Sequence, residues 1–600
     1  MEDVRRTLVH RLEHWAQTTP DAPAIHEKKP DGTWHTRTWA QYWQEVRDTA
    51  KGLIALGHQV GDCVGLLAGS RCGWVISQFA TQSARGIPAP IYPNNTTEQA
   101  AYIIGNSRSN IAIAGNQEQL DKYLEAIDKG MMKCEHLICM DEPSKKDPRV
   151  RSMTALQELG RQQDDSELNK RLTELTDDET SMLIYTSGTT GVPKGVQLSQ
   201  GNIVAMADGL LGRFSAYKGE VPFRIVSYLP LCHVAEQIAT NFAQLGSGGE
   251  VYFCADITQI KDHLTEVRPT VFLGVPRVWE KFQNVLEGRF AEASGIKASL
   301  AQWARKTELA AFKRQAEDGI PQNSLMRTIA NKLVVSKVKD ALGLDQLHAA
   351  FTGAAPISEG TLEFFASLGI SIYEVYGMSE TTGICSSSED GKPRFGTVGR
   401  AMPGVEVKLA DDDEILVKGP ICTCGYLHMP EETKELFTTD GWLQTGDLGK
   451  LDDKGYLKIV GRKKDILITA GGKNVAPAEM EGHINQITGV GQVIVIGDKK
   501  PYLTALVTLD IEALDALARD AGVSSGTLEE LAKNDEVKKY LMDRVESDCN
   551  AKVARYQTIK KIKVLPLEFS VEGGELTPTM KAKRNVVVKK YAADIKSLYA

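Results

Sequence analysis

The run Tyr185-Thr-Ser-Gly-Thr-Thr-Gly-Val-Pro-Lys194-Gly195 is the most informative stretch of this chain. It follows the apolar segment Met182-Leu183-Ile184-Tyr185, which predicts a buried strand. In the loop, Gly188 and Gly191 let the backbone approach a phosphate and turn N–H groups toward it. Lys194 adds a mobile positive charge, and four hydroxyl groups add donors: Thr186, Ser187, Thr189 and Thr190. The run therefore predicts a loop that wraps nucleotide phosphates.

The P-loop of kinases and ATPases is excluded, because it requires G-x-x-x-x-G-K-[ST]. From Gly188 the next glycines are Gly191 and Gly195, and Lys194 is followed by glycine instead of a Mg²⁺-binding hydroxyl. Where a P-loop would start its helix, Val196-Gln197-Leu198 looks extended. A merely flexible polar loop is the other alternative, and the glycine spacing combined with a single lysine argues against it.

Length and composition indicate a multidomain globular protein. The 600 residues exceed what one core accommodates, and 42% hydrophobic with 25% charged residues is ordinary for globular chains. With 70 basic and 78 acidic residues the net charge is −8, which argues against broad nucleic-acid binding. The sequence shows no signal core and no stretch of membrane-span length, and its ten scattered cysteines lack zinc-ligand spacing. We therefore expect a cytoplasmic enzyme with reduced thiols.

Strand-like runs alternate with helical patterns along most of the chain. Such alternation predicts an α/β fold with mostly parallel sheets, in which ligands collect at the carboxyl ends of the strands. The strand-like runs before residue 360 are 63–67, 87–92, 223–229, 250–254, 270–273 and 349–352, and residues 72–84 look helical.

Two stretches depart from this alternation. Residues from about 283 to 346 carry helical periodicity and little strand signal, which predicts a helical insertion on the surface. The short charged run 461–465 follows a hairpin-like segment, 453–456, and precedes further strands and amphipathic helices. We therefore predict a large N-terminal domain of layered α/β subdomains over 1–460, a hinge at 461–465, and a small mobile α+β C-terminal domain over 466–600.

Two segments place polar or small residues where predicted strands end. In Tyr228-Leu-Pro-Leu-Cys-His233 the strand ends at Pro230 and sets His233 at the start of a helix, although a lone histidine is more often structural. In Phe351-Thr-Gly353-Ala354-Ala355-Pro356 small side chains permit a flat ring, such as adenine, to lie against the backbone. A tight turn with Ser358 as the N-cap of a helix explains this run equally well.

Carboxylates mark two further segments. In Tyr376-Gly-Met-Ser379-Glu380 the tyrosine can stack on a base, and the glutamate can bind Mg²⁺, which prefers one or two carboxylates plus phosphate oxygens. In Thr445-Gly446-Asp447 an aspartate follows the predicted end of the strand Trp442-Leu443. Asp447 is suited to hydrogen-bond a ribose diol, and a plain turn is the alternative.

A lysine follows a turn near the C-terminus, in Gly573-Gly-Glu-Leu-Thr-Pro-Thr-Met-Lys581, with Lys583 and Arg584 close behind. Basic tails are usually solvated, so this segment alone indicates little. A functional interpretation of this lysine therefore depends on the other segments described above.

Taken together, the order and spacing of these segments resemble the adenylate-forming superfamily of acyl-CoA synthetases, luciferases and peptide-synthetase adenylation domains, from roughly residue 10 to the end. Within it the chain is most similar to long-chain fatty acyl-CoA synthetases of the bubblegum type. Three segments carry that narrower resemblance: Ser227-Tyr-Leu-Pro-Leu-Cys-His233-Val-Ala-Glu236, Val275-Pro-Arg-Val-Trp-Glu-Lys-Phe282 and Glu572-Gly-Gly-Glu-Leu-Thr-Pro-Thr-Met-Lys581.

The resemblance implies a reaction in two halves. A medium- or long-chain fatty carboxylate attacks the α-phosphate of ATP, giving acyl-adenylate and pyrophosphate, and the thiol of coenzyme A then displaces AMP. An anion must approach a polyanion, so Mg²⁺, loop amides and lysines have to neutralise charge. An acyl-AMP ligase that passes the acyl group to a carrier protein, and a binding protein without turnover, are the alternatives.

The resemblance also implies roles for the nucleotide-site residues. Thr186 and Glu380 would coordinate Mg²⁺, His233 would lie where the carboxylate enters, and Ser379 would contact the α-phosphate. The β- and γ-phosphates would be held by Thr186, Ser187, Gly188, Thr189, Thr190, Gly191 and Lys194. Adenine would be lined by Gly353, Ala354 and Tyr376, and the ribose hydroxyls would be held by Asp447 and Arg462.

Two lysines would serve different half-reactions. Lys581 would bridge the carboxylate and the α-phosphate during adenylation. Lys464 matches the hinge, about which the small domain would swing to bring Gly471, Gly472 and Lys473 to the coenzyme A tunnel. Many relatives have Ser-Gly-Lys where this chain has Thr579-Met580-Lys581, so Lys583 stays an alternative to Lys581.

Three properties remain open at this level. Gln237 stands where long-chain relatives often carry arginine, which changes the polar network around it. The basic stretch 581–590 and the helical insertion can contact anionic lipid at the inner face of a membrane, although solvated surface is the other interpretation. Acyl chain length and oligomeric state have no sequence signal.

Overall fold

The computed structural model describes residues 6–187, 192–217, 222–318, 322–570, 573–577 and 581–600. Its chain forms two compact units. The first comprises Met1–Ala355, Gly360–Lys408 and Leu416–Thr445, and the second comprises Pro356–Glu359, Leu409–Ile415 and Gly446–Ala600. The domain boundaries expected from the sequence, with a hinge at 461–465, stay a prediction.

A five-stranded, fully parallel sheet lies in the first unit. Its second strand, Cys63–Leu67, is buried at every position, as expected for a parallel strand covered on both faces. The strand order is Ile87–Ile91, Cys63–Leu67, Ile111–Ala114, His136–Cys139 and Val150–Ser152. The helices that alternate with these strands are Trp39–Ala55, Cys72–Ser83, Thr97–Ser107 and Gln117–Asp128.

Two mixed sheets of the first unit have strands that lead toward His233, toward Gly353 and Ala354, and toward the segment from Tyr376 to Glu380. In the first, three parallel strands, Val271–Leu273, Ala349–Thr352 and Ile372–Tyr376, are followed by the antiparallel strands Ser386–Ser387 and Arg400–Ala401. In the second, the order is Arg224–Ser227, Glu250–Phe253, Pro23–Lys28 and Trp34–Thr38, of which only the last pair is antiparallel.

A three-stranded antiparallel sheet contains the candidate phosphate loop. Thr180–Ser187 pairs with Pro193–Ser199, which pairs with the short strand Gly425–Tyr426. The predicted buried strand over 182–185 and the extended segment over 196–198 both lie in this sheet. The predicted α/β class, with a large and a small part, is confirmed.

Among the described residues from Pro276 to Leu342, helices follow one another without a strand. They are Pro276–Glu292, Gly295–Asp318, Leu325–Ala330 and Ser336–Leu342, with a π-helical turn at Asn331–Val335. Pro276 occupies the first turn, where its missing N–H costs nothing. A small apolar core forms where the helix Gly295–Asp318 packs against the segment 325–335, and its buried residues are Ala304, Ala330 and Val334.

The other helices before residue 440 are shorter on average. They are Leu8–Thr18, Met153–Arg161, Ser166–Glu174, Gln200–Arg213, Val234–Gln237, Ala243–Ser247, Ile260–Val267, Glu359–Ala366 and Pro430–Leu436. Two strands, Glu406–Leu409 and Glu414–Lys418, contain points at which the chain changes unit. Among the described residues, no helix combines the length and apolar character needed to cross a bilayer.

The second unit is built on a three-stranded sheet in the order Val490–Ile496, Leu503–Leu509 and Ile559–Leu565, with one antiparallel and one parallel pair. Both faces of this sheet are covered, and separate apolar clusters form on each. It also contains the pairing of Leu443–Leu451 with Leu457–Arg462, and a pair of two-residue strands, Leu467–Ile468 and Asn474–Val475. Its helices are Pro477–Ile484, Leu514–Asp520, Leu528–Lys533, Asp535–Asp548, Arg584–Lys590 and Ala592–Leu598.

Candidate active site

The antiparallel hairpin places two candidate phosphate ligands opposite each other. Thr186 pairs with Lys194 and Ser187 with Pro193, so the hairpin leads directly into the glycine-rich loop. Gly195 keeps the strands close, because a Cβ there would lie 3.2 Å from the Tyr185 ring. The candidate ligands Gly188, Thr189, Thr190 and Gly191, and the side chain of Ser187, lie outside the described residues.

Tyr426 joins this hairpin to Glu380. The Lys194 ammonium lies 4.8 Å from the centre of the Tyr426 ring, and the Tyr426 hydroxyl donates a hydrogen bond of 2.8 Å to Oε1 of Glu380. Burial, and after it the charge of Glu380, raises the pKa of Tyr426, so the phenol keeps the proton that it donates. Lys194 and Glu380, about 190 residues apart in sequence, therefore share one tyrosine.

The loop that carries Glu380 is fixed at both ends. Its backbone carbonyl accepts a hydrogen bond from the Thr423 N–H at 2.8 Å, and the Thr382 hydroxyl donates to the Ile421 carbonyl at 2.7 Å. Gly377 is required at the start of the loop, because a Cβ there would lie 1.6 Å from the carbonyl oxygen of Gly383. The side chain of Glu380 is only 6% exposed. The carboxylate is thus held in a buried, rigid position.

Gly353, Ala354 and Tyr376 lie at the carboxyl ends of two neighbouring parallel strands, Ala349–Thr352 and Ile372–Tyr376. A Cβ on Gly353 would lie 2.7 Å from Cγ2 of Val375, so the two strand ends approach closely. Ala354 has a φ of +66°, which is unusual for a residue other than glycine. Ser379 follows in the same loop as Glu380 and is buried. The sequence-predicted adenine and α-phosphate residues are therefore brought together.

His233 begins the short helix Val234–Gln237 and caps it. Its Nδ1 accepts a hydrogen bond of 3.2 Å from the Ala235 N–H, so a neutral His233 carries its proton on Nε2. A π-helical turn, Ile238–Phe242, follows at once. Gly383 accommodates that turn, since a Cβ on it would lie 2.0 Å from Cδ1 of Ile238. The helix of His233 therefore packs against the loop of Glu380.

The residues after His233 form a buried polar network. Glu236 is 1% exposed and accepts hydrogen bonds from the Ser227 hydroxyl at 2.6 Å and the Thr240 hydroxyl at 2.9 Å. Burial raises its pKa to about 7 against the opposing effect of these bonds. Its hydroxyl partners are neutral, which suits a carboxyl that is partly protonated near neutral pH.

Gln237 needs no charge in this environment. Its Nε2 donates to the Leu231 carbonyl at 2.6 Å, and its Oε1 accepts from Nδ2 of Asn241 at 2.8 Å. Asn241 in turn donates to Oε1 of Gln78 at 2.9 Å. Neutral amides therefore form the hydrogen bonds around position 237.

Asp447 and Arg462 face each other in the second unit. They occupy paired positions of the strands Leu443–Leu451 and Leu457–Arg462, and Nε of Arg462 lies 3.2 Å from Oδ1 of Asp447. The expectation that the strand ends before Thr445 was wrong, because it continues to Leu451 through Gly446, whose φ is +69°. The Gly446 N–H donates to the buried Glu414 at 2.8 Å, which accommodates this conformation.

Lys581 belongs to the same neighbourhood of the second unit. Its N–H donates to the Thr577 hydroxyl and its carbonyl accepts from the Thr577 N–H at 2.8 Å. Although much of the residue is exposed, its pKa lies below the usual value, because desolvation of the ammonium and repulsion from Arg462 outweigh the attraction of Asp447. Lys583 starts the helix Arg584–Lys590.

The lysines at 463 and 464 have opposite environments. Lys463 pairs with Asp412 at 2.5 Å and Glu414 at 3.0 Å, and hydrogen bonds to these carboxylates raise its pKa. The pKa of Lys464 is lowered by desolvation and by the charge of Arg462. Lys464 forms no ion pair with any described residue.

The candidate coenzyme A residues form an exposed turn. Gly471, Gly472 and Lys473 connect the strands Leu467–Ile468 and Asn474–Val475. Gly472 has a φ of +72° and donates its N–H to the Thr469 carbonyl at 2.8 Å. A Cβ on Gly472 would meet no atom within 4 Å.

Tyr426 was not predicted from the sequence, although this residue contacts both Lys194 and Glu380. It lies in the run Thr423-Cys-Gly-Tyr426, whose two-residue strand has no detectable periodicity. The pairing that positions it is with Val196, far away in sequence. The one local signal is Gly425, whose φ of +130° allows it to pack against Thr433.

Comparison with known proteins identifies the family of this chain. The family described as AMP-binding enzyme matches residues 12–429, and the AMP-binding enzyme C-terminal domain matches residues 464–600. The chain belongs to the AMP-binding enzymes, a family whose members use ATP. This confirms the predicted membership of the adenylate-forming superfamily.

Individual proteins similar to this chain define a narrower group within the family. The chain is 36% identical to the long-chain-fatty-acid--CoA ligase ACSBG2 of Xenopus laevis, over 96% of this chain and 82% of that protein. It is also 36% identical to the long-chain-fatty-acid--CoA ligase FadD15 of Mycobacterium bovis, over 96% and 94% respectively. Its fold matches the A domain of a carboxylic acid reductase from Segniliparus rugosus, solved with AMP and a co-purified carboxylic acid, with a TM-score of 0.74 at 19% identity over 99% of this chain and 94% of that one.

Proposed function

We propose that this chain is a fatty acid–CoA ligase that activates medium- and long-chain fatty acids with ATP, through an acyl-adenylate, and releases AMP and pyrophosphate. One structural observation carries the proposal. Lys194 and Glu380, from remote segments, meet at the two sides of Tyr426, beside the loop expected to hold phosphates. The names of the relatives support fatty acids as substrates and coenzyme A as acceptor.

Thr186 and Glu380 would hold Mg²⁺, which when bound neutralises phosphate charge. The fit is chemical: a buried carboxylate and a hydroxyl are hard oxygen donors. One oxygen of Glu380 accepts from Tyr426, and the carboxylate retains further acceptor capacity. The described residues contain no group of three His, Cys, Asp or Glu side chains that could hold a metal alone, so phosphate oxygens would complete this shell.

The remaining first-unit residues would bind and orient the substrates. Lys194 would contribute positive charge to the β- and γ-phosphates, with Ser187, Gly188, Thr189, Thr190 and Gly191. The backbone at Gly353 and Ala354 and the ring of Tyr376 would line adenine, and Ser379 would contact the α-phosphate. His233 would donate from Nε2 to the entering carboxylate, since its Nδ1 is occupied by the helix cap.

The residues of the second unit would act at different steps of the two half-reactions. Asp447 and Arg462 would hold the ribose, and Lys581 would bridge carboxylate and α-phosphate during adenylation. Lys581 is favoured over Lys583 because the charges of Arg462 and Asp447 act on its ammonium. Lys464 would be the hinge between 1–460 and 466–600, and the exposed turn of Gly471, Gly472 and Lys473 would line the coenzyme A tunnel.

The first expected outcome is fatty acid-dependent release of AMP. The protein, incubated with ATP, Mg²⁺, coenzyme A and saturated acids of increasing length, should form acyl-CoA and AMP in equal amounts. Turnover with acyl carrier protein in place of coenzyme A would instead identify an acyl-AMP ligase. Absence of AMP release with every acid and both acceptors would contradict the proposal.

Tyr426→Phe should slow adenylation because it removes the hydrogen bond to Glu380 while keeping the ring under Lys194. A hydrogen bond to a charged group is worth about 1.5–3 kcal/mol, so we expect kcat/KM for pyrophosphate exchange to fall about 10- to 100-fold, with a higher Mg²⁺ requirement. The matched control is Tyr102→Phe, which removes a hydroxyl that donates to the Pro193 carbonyl of the same hairpin at 3.0 Å. Equal effects of the two substitutions would show that Tyr426 acts only on the hairpin.

Lys581→Ala should lower adenylate formation by about 10²–10³, because it removes a charge placed where the transition state gains negative charge. Formation of acyl-CoA from supplied acyl-adenylate should be largely retained. Lys583→Ala is the control, and the reverse pattern would assign the role to Lys583.

Gly472→Trp should show the opposite pattern, losing thioester formation while adenylation persists. The φ of +72° makes any side chain unfavourable at this position, so Gly472→Ala serves as the control that carries the strain without the bulk. Loss of the same half-reaction in Lys581→Ala and Gly472→Trp would refute the assignment of separate roles.

We also propose that the helical insertion contacts the surface of an anionic membrane, at its inner face in the cell. Leu325, Ile329 and Leu333 repeat at four-residue spacing and are 76%, 39% and 41% exposed, and Lys332 and Lys337 are exposed on the same segment. Leu325→Ser/Leu333→Ser should reduce sedimentation with phosphatidylglycerol vesicles severalfold without changing turnover of a soluble short acid. Unchanged sedimentation of this variant would contradict the proposal.

A further inference from the structure

A cavity lies in the helical insertion, apart from every candidate active-site residue. It has a volume of about 490 Å³ and is formed mainly by the helix Gly295–Asp318, with Phe290 and Ser367 from neighbouring segments. Its apolar wall consists of Phe290, Ala298, Ala301 and Leu309. Cavities of roughly 300–1,000 Å³ with apolar walls and a few placed polar groups are typical of small-molecule sites.

Arg305 supplies the placed polar group. Its guanidinium carbon lies 5.1 Å from the ring centre of Phe290 and 4.7 Å from that of Phe364, and its Nε donates to the Ser367 hydroxyl at 3.1 Å. Ser367 is itself fixed, because its hydroxyl donates to the Phe364 carbonyl at 2.6 Å. The guanidinium is therefore held in one orientation at the cavity.

The charge of Arg305 is not neutralised within the described chain. No described carboxylate lies within ion-pair distance of it, and the nearest acidic influence is Glu287, whose attraction is outweighed by desolvation, so that the pKa of Arg305 is lowered. Neighbouring cations are paired: Lys313 with Glu363 at 2.7 Å and Arg327 with Glu308 at 2.8 Å. A half-buried arginine without a counter-ion is unfavourable unless an anion binds it.

We propose that this cavity binds an amphiphile with a single acyl chain and an anionic head group, at a site separate from adenylation. The head group would pair with the terminal nitrogens of Arg305, because its Nε is already hydrogen-bonded to Ser367. The acyl chain would lie against Phe290 and Leu309. Lys306, exposed at the cavity rim, adds a second positive charge. A free fatty acid and a phosphate-headed lipid share this chemistry.

The test is binding of decanoate, decyl phosphate and decanol to the full-length protein, by titration calorimetry and by photolabelling with a diazirine fatty acid. A non-hydrolysable acyl-adenylate analogue fills the active site throughout. We expect one further equivalent of an anionic ligand to bind, decanol to bind at least tenfold more weakly, and the label to fall on 290–309. Preference for decanoate or decyl phosphate identifies the natural head group.

Arg305→Met keeps an unbranched apolar side chain without the guanidinium and should weaken anion binding about tenfold or more, the loss expected for a charge-assisted hydrogen bond. Lys313→Met removes a charge from the same helix and should bind normally. If Arg305→Met does not fold, Ser299→Trp fills the cavity from its opposite wall and should give the same loss.

Three results would overturn the inference: no binding beyond the active site, equal affinity for decanol, or unchanged affinity in both Arg305→Met and Ser299→Trp. Failure of the proposed ligase activity is detected separately, because photolabelling of 290–309 does not require adenylation. Labelling confined to other segments would likewise refute the site.

Discussion

The first unit depends on placing opposite charges close together without letting them pair. Lys194 and Glu380 are both proposed to act at the phosphates, and a direct ion pair would consume the capacity of each. Tyr426 lies between them, offering its ring face to the ammonium and its hydroxyl to the carboxylate. A cation–π contact on one side, and a hydrogen bond from a neutral hydroxyl to the carboxylate on the other, stabilise both charges without joining them in an ion pair. The pairing of the strand Gly425–Tyr426 with the strand Pro193–Ser199 fixes the position of that tyrosine.

The surroundings of His233 follow a different rule, in which charge is avoided. Glu236 is buried among hydroxyl groups. Asn241 donates from Nδ2 to both Gln237 and Gln78, while Oδ1 of Asn241 and Nε2 of Gln78 have no hydrogen-bond partner among the described residues. The described groups of this network are neutral amides and hydroxyls, apart from the carboxyl of Glu236, whose pKa is raised by burial to about 7.

Much of this architecture is readable from sequence, and what is not has a common cause. The hairpin at 180–199 and the strand ends before Gly353 and Gly377 follow from local apolar runs and glycine. Tyr426 and Arg305 do not, since each derives its meaning from partners in distant segments: Glu380 for the first, Ser367 and Phe364 for the second. Asp447 lay between these cases. Its residue type predicts a role in binding ribose, which stays a prediction, whereas the expected strand end before it was wrong because the strand continues through Gly446 to Leu451.

The segment 462–465, where a hinge is expected, differs from residue to residue in its ion pairs. Arg462 is tied to Asp447 and Lys463 to Asp412 and Glu414, so the side chains up to 463 are anchored by ion pairs within the second unit. Lys464 has no such pair among the described residues, and its lowered pKa reflects desolvation and repulsion from Arg462. A backbone rotation at Lys464 or beyond therefore breaks no ion pair of the two preceding residues. Rotation at Arg462 or Lys463 would have to overcome those pairs, which is a physical reason to place the hinge at Lys464.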